Sequence, residues 1–87
     1  MNYELRQNYP NPFNPITTIK YQVPNAGIVR IKIFDILGRE VATLVNEQKQ
    51  PGKYAVQWNA ANKSSGLYFY RIQTEIFVEM KKMVLLK

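Results

Sequence analysis

Eighty-seven residues leave room for one small domain with a modest core, and the absence of cysteine means that no disulfide supplements it. Histidine is absent too, so the usual nucleophile–base pairs and thiolate or imidazole metal sites cannot be assembled. The six acids, Asp35, Glu4, Glu40, Glu47, Glu75 and Glu79, are scattered without ligand spacing against twelve Lys and Arg, for a formal charge of +6. These counts assign no catalytic residue, cofactor or metal, and the chain is read as a non-enzyme. The basic residues are dispersed, with only Lys81 and Lys82 adjacent, and no zinc-finger, helix-turn-helix or RNP pattern is present. Nucleic acid is therefore set aside as a partner, and solvated strand faces and blunted sheet edges account for most of the lysines. No apolar run reaches the length of a transmembrane helix, and Glu4, Arg6 and three prolines among the first twenty residues exclude a signal-peptide core there.

In chain order, helical periodicity fails and two-residue alternation takes its place. The opening segment, with Pro10, Pro12 and Pro15, is expected to be extended along the rim of the domain. A short edge strand is expected within residues 5–13, and Tyr9 and Phe13 are the candidate anchors. Thr17, Ile19, Tyr21 and Val23 then alternate with Thr18, Lys20 and Gln22, a half-buried strand ended by Pro24. After the turn Pro24-Asn25-Ala26-Gly27, a second strand near 28–36 places Val29, Ile31 and Ile33 opposite Arg30 and Lys32. Residues 35–39 read as a tight connection in which Gly38 supplies a positive φ.

A strand near 40–47 is expected to set Val41, Thr43 and Val45 on one face and Ala42 and Leu44 on the other. Pro51-Gly52 fits the centre of a type II turn, with Gly52 at positive φ. The next strand, near 53–59, aligns Tyr54, Val56 and Trp58. A polar loop over 59–66 leads to a strand near 67–74, which carries Tyr68, Tyr70 and Ile72 on one face and Leu67 and Phe69 on the other. The last strand, near 77–86, has two apolar faces: Met83 and Leu85 share one, and Val78, Met80, Val84 and Leu86 share the other. Six or seven short strands with frequent turn signals predict an all-β fold, an immunoglobulin-like antiparallel β-sandwich. The chain divides into a proline-rich opening over 1–15 and a sandwich over 16–87, one domain in all.

Several stretches form an ordered series. Gln7-Asn8-Tyr9-Pro10-Asn11-Pro12-Phe13-Asn14-Pro15 and Thr18-Ile19-Lys20-Tyr21 come first. Ile33-Phe34-Asp35-Ile36-Leu37-Gly38-Arg39-Glu40-Val41, Pro51-Gly52-Lys53-Tyr54 and Val56-Gln57-Trp58-Asn59 follow. Ser65-Gly66-Leu67-Tyr68-Phe69-Tyr70-Arg71-Ile72 and Lys81-Lys82-Met83-Val84-Leu85-Leu86-Lys87 complete it. Together they resemble the type A C-terminal sorting domain of type IX secretion, found at the ends of proteins exported by Bacteroidota and their relatives. The resemblance implies an immunoglobulin-like sandwich related to the flagellar hook-capping protein's domain. It also implies a route: export with N-terminally fused cargo, passage through the periplasm, recognition by the outer-membrane translocon, and removal by a sortase-like protease at the cell surface. Any signal peptide would then belong to a longer precursor.

On that resemblance Gly66, Tyr68, Lys81, Lys82, Met83, Val84, Leu85, Leu86 and Lys87 are the recognition signal. Pro10, Asn11, Pro12, Phe13, Gly38, Gly52 and Trp58 are structural motif residues. The last strand and its neighbour are expected to pair with a partner by strand addition, with the lysines supplying charge. The functional alternative to solvated strand faces for the dispersed basic residues is attraction to an anionic surface such as lipopolysaccharide. The pattern departs from the family at Thr74-Glu75, where relatives carry a small residue and glycine, so a differently shaped last turn or a detached final strand is expected there. A second class of function also fits the residues. Strands apolar on both faces and a detachable last strand would suit a subunit that assembles into a homo-oligomer, a filament or a sheet.

Overall fold

A computed structural model describes all 87 residues, which form seven strands and no helix. The strands are β1 (Glu4–Leu5), β2 (Ile16–Val23), β3 (Gly27–Phe34), β4 (Glu40–Lys49), β5 (Gly52–Asn59), β6 (Gly66–Gln73) and β7 (Val78–Leu85). They build two antiparallel sheets, in the orders β1-β2-β5 and β4-β3-β6-β7. Two hairpins, β3–β4 and β6–β7, stay within the second sheet, and the other long-strand connections cross between sheets, as in immunoglobulin-like sandwiches.

The inner faces follow from alternation. Ile19, Tyr21 and Val23 of β2, Val29, Ile31 and Ile33 of β3, Tyr70 and Ile72 of β6, and Met83 and Leu85 of β7 are all buried. The last strand is thus phased with Met83 and Leu85 inward, and Val78, Met80 and Leu86 are exposed. Between the sheets Trp58 meets Tyr68 edge-on at 5.3 Å and Phe13 at 5.8 Å, so three aromatic rings fill one end of the core.

Strand β4 departs from its expected phase. Ile31 faces Val45, but Lys32 faces Thr43 and Ile33 faces Ala42, with a second slip before Phe34 meets Glu40. Two bulges, at Leu44 and Val41, therefore turn Ala42 towards the core and Thr43 to solvent. Val41, Thr43 and Val45 do not share a face.

The turns hold further differences. Gly38 has φ +82°, as expected of the β3–β4 connection. Asp35 organises that connection: its carboxylate accepts from the N–H of Leu37 at 2.9 Å and of Arg39 at 3.0 Å, and pairs with the Arg39 side chain at 2.7 Å. The Arg39 backbone N–H, foremost among these contacts, holds the Asp35 carboxyl below the usual aspartate range. Gly52, by contrast, has no positive φ and already lies in β5 opposite Val23. The Pro51-Gly52 step belongs to a crossing between sheets, and without a positive φ at Gly52 it is not the expected type II turn.

At Thr74-Glu75 no residue takes a positive φ. The Thr74 hydroxyl accepts from the N–H of Phe77 at 3.0 Å, and the Thr74 N–H donates to the Phe77 carbonyl at 2.8 Å, closing a four-residue turn without glycine. The final strand does not leave the domain: it pairs with β6 from Gln73↔Val78 to Gly66↔Leu85.

The opening segment also corrects its expectation. Its edge strand is only two residues long, and residues 10–12 and 14–15 bend, with all three X-Pro bonds cis, instead of running extended. Phe13 is buried, whereas the Tyr9 side chain is 81 % exposed and anchors nothing. Tyr9 contributes through its backbone, exchanging two hydrogen bonds of 2.9 Å with Thr18.

Candidate functional site

The last strand lies at an edge of the second sheet, and alternation decides which of its backbone groups point outward. The odd-numbered residues from Glu79 to Leu85 face β6, so the outward groups belong to Val78, Met80, Lys82, Val84 and, past the strand, Leu86. Residues from the other end of the sequence occupy the C-terminal half of this edge. The Phe13 N–H donates to the Val84 carbonyl at 3.0 Å, and the Leu86 N–H donates to the Phe13 carbonyl at 3.0 Å. The Val84 N–H donates to Asn11 Oδ1 at 3.0 Å, and Gln7 Nε2 donates to the Lys82 carbonyl at 2.8 Å. The opening motif and the terminal motif thus form one seam.

A buried polar network anchors the seam. Tyr70, fully buried on β6, donates its hydroxyl to the Arg6 carbonyl at 2.7 Å and accepts from the Asn8 N–H at 2.8 Å. The Asn8 amide donates to Thr17 Oγ1 at 3.0 Å, and that hydroxyl donates to the Pro10 carbonyl at 2.9 Å. The sequence places Thr17 and Tyr70 on strand faces with apolar neighbours, but their hydrogen bonding to Asn8 and the opening segment was not expected. The available signal was polar groups at positions in phase with the core, which require partners when buried.

Burial pushes the Tyr70 hydroxyl up to about 12, partly offset by the Asn8 N–H bond. A raised value means that this group's contribution to stability is full below the ordinary tyrosine range and is lost as pH rises towards about 12. Tyr70→Phe leaves the Arg6 carbonyl and the Asn8 N–H unpaired and is expected to cost about 2 kcal/mol in urea denaturation. An unchanged midpoint would mean that water replaces the hydroxyl.

The expected signal residues separate into distinct settings. Met83 and Leu85 are fully buried, Val84 is half-buried, and Lys82 and Leu86 are exposed. Lys81 is paired with Glu79 at 3.3 Å, and Lys87 reaches the Ala61 carbonyl with its Nζ and Ser65 Oγ with its backbone N–H at 3.0 Å. Tyr68 packs on Trp58 and donates to the Ser64 carbonyl at 2.7 Å. Gly66 opposes Leu85 at φ +153°, a conformation that side-chain-bearing residues rarely adopt. A Cβ there would meet nothing within 4 Å, so Gly66→Ala is expected to cost about 1–3 kcal/mol through the backbone alone, read as a lowered midpoint in thermal unfolding.

Phe13, Trp58, Tyr68, Gly66 and the terminal strand therefore come together, with Pro10, Asn11 and Pro12 forming the bends that deliver Phe13 to it. Gly38 lies in the β3–β4 turn, and Gly52 lies at the end of β5 away from Trp58. Fold and edge define the class: a small antiparallel β-sandwich that presents its last strand at a sheet edge.

The family model of the secretion system C-terminal sorting domain matches residues 7–86, and the chain belongs to that family. It is a C-terminal sorting signal of type IX secretion, a role that entails export to the cell surface or the extracellular space and interaction with the secretion system. The family is one of signals and not of catalysts. No curated protein matches the chain. The reading as a self-assembling subunit finds no support in the family, and β7 is paired along its whole length. No helix is long and apolar enough to cross a membrane.

Proposed function

We propose that β7, with β6 beside it, is the surface that the outer-membrane translocon reads. On this reading the domain folds in the periplasm and is recognised there with its N-terminally fused cargo. It is then removed by a sortase-like protease at the cell surface, so the chemistry belongs to the partner. The supporting observation is that the terminal motif forms an edge strand whose side chains divide sharply into two sets. Met83 and Leu85 belong to the core, and Lys82, Val84 and Leu86 face outward. Lys81 and Lys87 already have partners, so Lys82 is the cation of the terminal motif that remains available to the translocon.

The test fuses a reporter upstream of residues 1–87 in a type IX-competent host and replaces Val84 and Leu86 together by serine. Two apolar side chains lost from a docking surface should lower export about tenfold or more, while the purified domain keeps its fold. Export at the wild-type level would remove the outward face of β7 as the signal.

A further inference from the structure

The seam covers only part of the β7 edge. Gln7, Asn11 and Phe13 take the outward backbone groups from the Lys82 carbonyl onward. Upstream, the outward N–H and C=O groups of Val78 and Met80 and the N–H of Lys82 have no partner within the domain. Beside this open stretch lies the outer face of the second sheet, which no other layer covers. Phe34, Phe69 and Met80 form its apolar floor, with the exposed Ile36 as a wall. The pairings set Lys32 beside Arg71, Arg71 beside Met80, and Phe69 beside Lys82 on this face, with Arg30 one step further along β3. The Arg71 guanidinium lies over the Phe34 ring at 4.8 Å and forms no ion pair. Of the three acids in these strands, Glu47 and Glu79 are in register with the inward-facing Val29 and Ile72, and Glu40, the one on the outer face, is already bound to Lys32 at 3.1 Å.

We propose that residues 78–82 are the docking edge, which takes up an extended acidic–apolar segment of a protein partner as an added strand. The proposal rests on the reading of β7 as the recognition strand and gives it a location and a chemistry. An incoming strand places alternate side chains on the same outer face, where an acidic one meets Lys82 and an apolar one packs on Met80, with the Arg71 charge and the Phe69 ring one strand further in. The seam limits the register, because strand addition cannot continue past Lys82 while Gln7, Asn11 and Phe13 hold their places.

Proline separates this edge from the rest of β7. Met80→Pro deletes an outward donor and leaves the β6–β7 hydrogen bonds in place, as edge proline does elsewhere. With the same upstream reporter, Met80→Pro is expected to lower export about tenfold, and Met80→Leu, which keeps the donor, to export normally. Arg71→Glu combined with Lys82→Glu is expected to lower it as well. Thermal unfolding of each purified variant checks the fold, and if Met80→Pro is unfolded, Val78→Pro at the start of the strand replaces it with the same expectation.

Normal export of the folded proline variant, alongside failure of Val84→Ser/Leu86→Ser, would overturn this edge and leave β7 as the signal. Loss of export on charge reversal alone would overturn it in favour of a charged surface such as an anionic lipid layer. Normal export of both the serine variant and the folded proline variant would instead bring down the underlying reading of β7.

Discussion

A chain ending at Lys82 is expected not to fold. Residues 83–87 include Met83 and Leu85, both fully buried, and loss of a buried side chain of that size costs about 2–5 kcal/mol. Two such losses rival the whole stability of a small domain, about 5–15 kcal/mol. Truncation also removes both hydrogen bonds to the Phe13 backbone. Circular dichroism and amide dispersion in NMR spectra should show a disordered chain; a cooperatively folded one would mean that β6 closes the core without β7. A secretion defect after this deletion therefore reports unfolding as much as lost recognition. Substitution of outward residues is the test that separates the two.

Phe13→Ala is the second large effect. Phe13 is 2 % exposed and packs on Trp58, so its truncation is expected to cost about 3–5 kcal/mol. In a domain of this size, about 15–30 °C of thermal midpoint is at stake. The effect should also be directional. The amides of Val84 and Leu86, which donate to Asn11 Oδ1 and the Phe13 carbonyl, should lose protection from hydrogen exchange before the β3–β6 ladder does. Equal loss across all strands would mean that the seam does not open separately from the sandwich.

Much of the fold was legible because a half-buried strand writes its phase into every second residue. Val29, Ile31 and Ile33 needed nothing else, and neither did Thr17, Ile19, Tyr21 and Val23. Strand β4 was not legible: its two bulges each insert a residue, and Val41, Ala42, Leu44 and Val45 are all apolar enough to fit either phase. Pro51-Gly52 carried a genuine turn signal, but local chemistry does not say whether the chain turns within a sheet or crosses to the other. Thr74 misled for a related reason, since a hydroxyl that accepts from Phe77 does the work expected of a glycine. The candidate site was half legible. Its two motifs were visible as residues, but their contact joins positions 73 and 75 apart in the chain, and no local pattern encodes such a pairing.

Gln7 and Leu86, from opposite ends of the chain, are the outermost partners of the seam. No fragment that lacks either end can close it, because each side supplies what the other binds. The closed seam is thus a statement of completeness written in one place on the surface. On the docking proposed for residues 78–82, the added strand would end against the closed seam, so its register would depend on both motifs being in place.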